Sequence, residues 1–315
     1  MTSTHTSRTT GAATHSRRAI LGAAAGAGAL GLGMLGAGSA NAAGSGTATG
    51  RRGRFRGKVV LVTGGTSGIG EATCAAFAAE GARVAFCGRR ESHGRAVERR
   101  IRRAGGHAVY LRADVRDADS TQAFVDRAIE NLGPPDIAFN NAGVQHTAPL
   151  HEMTLEQWDD TMNTNTRGTF LAMRAQLPPM IAHGGGHIIV NSSVGSVVGR
   201  PELSAYQASK RAQEALVRSA ALEYGGAGIR VNAILPGITD TAMIRPPGLD
   251  DALWEQAKVG LGQLNVDGLG RIATPEDIAS AVLAIASEDF SYLTGVSIPV
   301  DGGVAAGRPM RIPPL

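Results

Sequence analysis

Seven short apolar runs recur along the chain, most of them followed by a longer stretch with helical spacing. They are Lys58 to Thr63, Arg83 to Gly88, His107 to Arg112, Asp136 to Asn140, His187 to Ser193, Ile229 to Leu235 and Val296 to Val300. Short apolar runs alternating with helical patterns predict parallel strands buried on both faces and joined by crossover helices. The series predicts an α/β fold: one doubly wound, Rossmann-type domain with a seven-stranded parallel sheet and helices on both faces.

Ahead of Lys58 the pattern changes. Residues 1–18 are polar and basic, Ile20 to Leu35 is an uncharged Ala/Gly/Leu stretch, and Ala40-Asn41-Ala42 has the small residues of a cleavage site. This is the layout of a secretory signal. Ser16-Arg17-Arg18-Ala19-Ile20-Leu21 resembles a twin-arginine signal, which the Tat export machinery reads. The expectation is therefore a signal peptide over 1–42, a flexible linker over 43–57 and a catalytic domain over 58–315. The Gly-rich apolar stretch is weak for a stable membrane span. Export to the periplasm or beyond follows, with a cytoplasmic enzyme as the alternative.

Composition supports one large core: 315 residues, 43% hydrophobic and 18% charged. The net charge of +4 is concentrated early, because no Asp or Glu precedes Glu71; without Arg8, Arg17 and Arg18 it falls to about +1. Nucleic-acid binding is not expected of such a body. Cys74 and Cys87 can make neither a disulfide framework nor a zinc site.

Thr63-Gly64-Gly65-Thr66-Ser67-Gly68-Ile69-Gly70 links the first strand to an Ala-rich helical stretch. Glycines there let the backbone turn sharply and approach a pyrophosphate, whose charge the helix N-terminus binds. No Gly-Lys-Ser/Thr follows, so a Walker-type NTPase is not supported. The second strand ends in Cys87-Gly88-Arg89-Arg90. An NAD site usually places an acid there for the ribose 2′-hydroxyl. Glycine and two cations favour NADP(H), with NAD(H) possible.

Tyr206 and Lys210 stand one helical turn apart on a shared face. An ammonium beside a phenol favours the phenolate and makes tyrosine a usable acid/base. Ser193, 13 residues earlier, closes the fifth strand, where its hydroxyl could meet the same substrate oxygen.

Together these residues resemble the classical short-chain dehydrogenase/reductase family from Lys58 onward. Thr63 to Gly70 is similar to the family's T-G-x-x-x-G-x-G turn, Asn140-Asn141-Ala142-Gly143 to its N-N-A-G segment, and Asp301-Gly302-Gly303 to its terminal D-G-G. The resemblance implies four catalytic residues, Asn165, Ser193, Tyr206 and Lys210. It implies a cofactor site of Gly64, Thr66, Ser67, Gly68, Ile69, Gly70, Arg89, Asp114, Val115, Asn141, Ala142 and Gly143. Tyr206, Lys210, Pro236, Gly237, Ile238 and Thr241 complete that site, with Asp114 at the adenine and Thr241 at the nicotinamide carboxamide. Asn165 is implied to interrupt its helix and to position a water behind Lys210. The implied activity is NAD(P)-dependent hydride transfer between a secondary alcohol and a ketone, and the implied assembly is a homotetramer. The alternative is a non-catalytic dinucleotide-sensing or scaffolding protein on the same fold.

Gln145, His146, Met243, Ile244, Leu249, Trp254 and Leu261 are the candidate substrate residues. Their mostly apolar mixture predicts a small neutral alcohol or carbonyl compound. His183 and His187 share i, i+4 spacing, but Gly184-Gly185-Gly186 between them predicts solvated loop histidines, and no metal site is expected.

Overall fold

The computed structural model describes residues 53–308. The expected signal peptide and residues 43–52 of the expected linker lie outside the described residues. All seven strands form: β1 (Val59–Thr63), β2 (Arg83–Gly88), β3 (His107–Arg112), β4 (Ile137–Asn140), β5 (Gly186–Asn191), β6 (Ile229–Pro236) and β7 (Ser297–Val300). Every pairing is parallel, in the order β3-β2-β1-β4-β5-β6-β7. The chain therefore winds outward from β1 to β3, returns to β4 beside β1, and winds the other way. Ligands of such sheets bind at that reversal, beyond the strands' C-terminal ends.

The connecting helices are α1 (Gly68–Ala79), α2 (Glu91–Arg103), α3 (Ala118–Leu132), α4 (Leu155–Thr161), α5 (Gly168–Ala182), α6 (Ser204–Tyr224), α7 (Asp251–Asn265) and α8 (Pro275–Ala286). Both faces of the sheet are covered. Leu61, Ala85, Ala138 and Ile188 pack with Phe124 of α3, Met173 of α5 and Val217 of α6. Val60, Val62, Phe86 and Ile189 pack with Phe77 of α1, Val97 of α2 and Ile278 of α8. Burial on both sides is why the strands read as continuous apolar runs.

Three expectations need correction. The linker does not extend to residue 57: Gly53–Gly57 forms a turn that docks on the domain, with Phe55 buried edge-on against Phe77 at 4.8 Å. Arg54 there pairs with Glu80, and Gly53 N–H donates to the same carboxylate. β5 ends at Asn191, so Ser193 is not its last residue but the cap of a short 3-10 turn, Val194–Ser196. His187 is not a solvated loop residue. It lies on β5, 3% exposed, where Asn232 Nδ2 donates to its Nε2 at 3.0 Å and burial pushes its pKa down to about 3. His183 is exposed, as expected.

Candidate active site

A cavity of about 620 Å³ opens at the C-terminal ends of the strands, where the winding reverses. Its floor on one side is the glycine-rich turn. Gly64 holds φ +67°, and a Cβ on it would lie 2.8 Å from Ala142 Cα, so only glycine lets the β1 and β4 loops meet this closely. α3, α7 and α8 carry side-chain caps from Asp117, Asp250 and Thr274, but Ser67 does not cap α1. Its hydroxyl instead accepts from Arg90 Nη2 at 2.8 Å. The first-turn N–H groups of α1 thus face the cavity without a side-chain partner, which is the arrangement a phosphate needs.

Asn141 ties three strands into this floor. Its N–H donates to Thr63 Oγ1, its Nδ2 to the carbonyls of Thr63 and Gly64, and its Oδ1 accepts from Asn191 Nδ2 at 2.8 Å. At the end of β2, a Cβ on Gly88 would lie 2.7 Å from Thr66 Cγ2, so an acidic side chain has no room there. Arg89 and Arg90 follow, both lining the cavity. Asp114, also lining it, is gripped by Arg116 through Nε and Nη2 at 2.7–3.1 Å, and this hydrogen bonding holds its carboxyl below the usual carboxylate range. Arg116 reaches on to Asp160 at 2.9 Å, which pairs with His146 at 3.0 Å.

The reactive end lies between β5 and α6. A Cβ on Gly195 would be 3.3 Å from Ser193 Oγ and 3.7 Å from Tyr206 Cε1, so the two hydroxyl-bearing side chains border one small space. Ser193 Oγ accepts from Gly195 N–H at 3.0 Å, leaving its own hydrogen for another acceptor. Lys210 is buried and donates from Nζ to Asn191 O at 2.7 Å, while Nζ stands 5.5 Å from the Tyr206 ring centroid. Burial lowers the Lys210 pKa to about 7. The Tyr206 pKa differs from the expected direction: burial pushes the phenol up, and the Ser193 hydroxyl, not Lys210, opposes that rise. A lysine already half neutral near pH 7 is a poor source of positive potential for its neighbour.

Asn165 does interrupt its helix. It sits fully buried in a π-helical stretch, Met162–Arg167, between α4 and α5. Its side chain exchanges hydrogen bonds with the Val144 backbone at 2.8 and 3.0 Å and donates to Ser209 Oγ. Its own carbonyl accepts from Gln213 Nε2 and Thr169 Oγ1. π-bulges of this kind commonly mark functional sites. Asn165 does not line the cavity but holds the β4 loop against α6, which makes it a positioning residue.

The other expected cofactor residues line the cavity, with the exception of Gly70. Gly70 packs beneath the turn, where a Cβ would run into Gly64 O and Asn141 Nδ2. Of the expected substrate residues, Gln145, Met243, Ile244 and Leu261 reach the cavity; His146, Leu249 and Trp254 do not. Trp254 is buried and donates to Asp240 Oδ1, which with Lys258 at 2.7 Å fastens α7 to the Pro236–Thr241 segment. Arg200 and Leu203 line the cavity and escaped sequence reasoning. The available signal was position: both fall between Ser193 and Tyr206.

The family model described as enoyl-(acyl carrier protein) reductase matches residues 64–305. A 2,5-dichloro-2,5-cyclohexadiene-1,4-diol dehydrogenase of Sphingobium indicum is 36% identical over 81% of this chain and 98% of its own. The chain belongs to the short-chain dehydrogenase/reductase family. Within that family, a cis-4-hydroxycyclohexanecarboxylate dehydrogenase of Sinomonas cyclohexanicum is 37% identical over 80% of this chain and 98% of its own. The crystal structure of levodione reductase superposes with a TM-score of 0.75 at 33% identity, covering 80% of this chain and 99% of that one. The protein is thus a family oxidoreductase of CH–OH groups with an NAD(P)(H) cofactor. The glycine floor and the free α1 N-terminus fit a dinucleotide.

Proposed function

We propose that the protein is an NADP(H)-dependent dehydrogenase/reductase of a secondary alcohol or ketone carried on an alicyclic ring. The observation that carries this reading is the shared space bordered by Ser193 Oγ and Tyr206, backed by buried Lys210. A pure nucleotide sensor or scaffold has no use for a proton donor placed there. The ring preference follows the relatives, which are named for cyclohexadiene and cyclohexane substrates.

NADP preference rests on the end of β2. Gly88 leaves no space for an acid beside Thr66, and Arg90 is committed to Ser67. The Arg89 side chain has no hydrogen bond or ion pair among the described residues, so its guanidinium is available to a 2′-phosphate. When bound, the nicotinamide supplies or accepts the hydride. The chain does the rest. Ser193 Oγ–H donates to the substrate oxygen and orients it, and the Tyr206 phenol delivers the proton to the developing alkoxide. Lys210, held by Asn191 O, fixes the wall behind the phenol.

Following absorbance of the reduced nicotinamide across a panel of cyclic ketones, with NADPH and NADH in parallel, tests both parts. Turnover with NADPH favoured about ten-fold or more is expected from one charge-assisted phosphate contact. Equal use of the two nucleotides would remove the NADP assignment.

Export through the Tat route, in folded form with cofactor already loaded, is the reading proposed for residues 1–42. Fractionating cells that carry the wild type or Arg17→Lys/Arg18→Lys checks it, and cytoplasmic retention of both would end it. The proposed assembly is a homotetramer. Leu155, Phe170 and Leu222, exposed on α4, α5 and α6, support self-association, and light scattering reads it directly.

A further inference from the structure

Arg200 is half-buried and lines the catalytic cavity, in the loop between β5 and α6, six residues before Tyr206. Its guanidinium has no hydrogen bond or ion pair among the described residues. Glu202, two positions on, is exposed and not paired with it. Arg89, Arg90 and Asp114 are the charged lining residues after β2 and β3, while Lys210 stands behind Tyr206. In the sheet order, β2 and β5 are separated by β1 and β4. Three strand spacings place Arg200's loop roughly 14 Å from the end of β2. Arg200 therefore serves neither the 2′-phosphate end nor the lysine; it is the charged side chain of the substrate end.

Its loop is held in place. Glu202 is a non-glycine residue at φ +65°, an uncommon conformation for a side chain of that size, and its carbonyl accepts from Ala148 N–H at 3.0 Å. That bond joins the Arg200 loop to the loop after β4, which carries Gln145. Gln145 also lines the cavity, and its amide has no partner among the described residues. A guanidinium fork and an amide are thus presented from two loops stitched together by their backbones. The walls around them, including Leu203, Met243 and Ile244, are apolar.

We propose that Arg200 determines specificity by binding a carboxylate on the substrate, so that the substrate is a ring-borne hydroxy acid or keto acid. This rests on reading the site as an alcohol/ketone oxidoreductase. A planar guanidinium takes a carboxylate through two parallel hydrogen bonds. With one cation and no second one beside it, the site matches a monoanion; a phosphate dianion would leave a charge uncompensated in a largely apolar pocket. The neutral substrate expected from sequence was inferred from a lining that lacked Arg200.

The test uses full-length protein and two readouts. Binding of cyclohexanecarboxylate and of cyclohexanecarboxamide to the NADP⁺ complex is measured by calorimetry for the wild type, Arg200→Met and Arg200→Lys. NADPH-dependent reduction of 4-oxocyclohexanecarboxylate and of its amide is followed in the same three proteins. The wild type is expected to favour acid over amide by about ten- to a hundred-fold, mainly in Kd and KM. In Arg200→Met that ratio collapses towards one, and Arg200→Lys retains part of it. A wild type indifferent to the carboxylate, or an Arg200→Met protein that keeps the preference, overturns the proposal. A carboxylate preference in binding without reduction of either ketone would instead count against the proposed function and leave the role of Arg200 supported.

Discussion

At the ends of β1, β2 and β4 the crevice is shaped by side chains that are missing. Gly64, Gly70 and Gly88 each occupy a place where a Cβ would strike a neighbour. Between β5 and α6 it is shaped by side chains that are buried and titratable, Tyr206 and Lys210, whose pKa values have moved in opposite directions. The first region recognises a ligand by letting backbone approach it. The second prepares a proton. Perturbation of the nucleotide end should therefore act sterically and independently of pH, and that of the reactive end through pH.

The largest effect expected is at the reactive end. With a folded pKa of about 7 and an ordinary value of 10.5, Lys210 has released in the folded state a proton that the unfolded chain still holds between those pH values. Its contribution to stability should rise with pH across that window, by up to about 1.4 kcal/mol per pH unit, while the thiols of Cys74 and Cys87, pushed up by burial, act in the opposite sense near the top of it. Denaturant melts from pH 7 to 10 should show this rise as the difference in slope between the wild type and Lys210→Met. An identical slope in the variant would break the contrast between the two regions.

Next is Gly70→Ala, whose Cβ meets the Gly64 carbonyl. Overpacking against backbone should cost about 3 kcal/mol and weaken NADPH binding by about a hundred-fold, with no pH dependence. Asn165→Ala removes the partners of the Val144 backbone and of Ser209. A loss of about 2 kcal/mol is expected, together with a lower kcat and a smaller change in NADPH affinity. Tm and fluorescence titration separate these outcomes. The smallest effect is that of Gly88→Asp. It should weaken NADPH by about ten-fold without improving NADH, because Thr66 occupies the space the new side chain needs. A clean switch to NADH would show the β2 end to be more yielding than the glycine packing implies.

How much of this was legible in the chain follows the same division. Strands packed beneath helices announce themselves as apolar runs, so all seven were visible from Val59 to Val300, although β7 is an edge strand and only part-buried. Glycines forced by backbone contact are visible too, because no other residue serves. Pairings between distant side chains are not. Arg116 reaching Asp160, Trp254 on Asp240, and Arg200 without a partner among the described residues are consequences of tertiary placement. Phe55 was hidden for a related reason: one buried ring anchors a stretch whose Arg/Gly composition otherwise reads as solvated. The upward shift of the Tyr206 pKa depended on how far Lys210 itself is desolvated, which spacing along a helix does not reveal.

The most direct measurement is kcat together with NADPH affinity for Tyr206→Phe, assayed on a cyclic ketone that the wild type reduces. Removing one hydroxyl from a ring that otherwise keeps its packing should lower kcat by about a thousand-fold and leave the NADPH Kd within a few-fold. A Tyr206→Phe protein with near-normal kcat would contradict the assignment of the proton to this phenol.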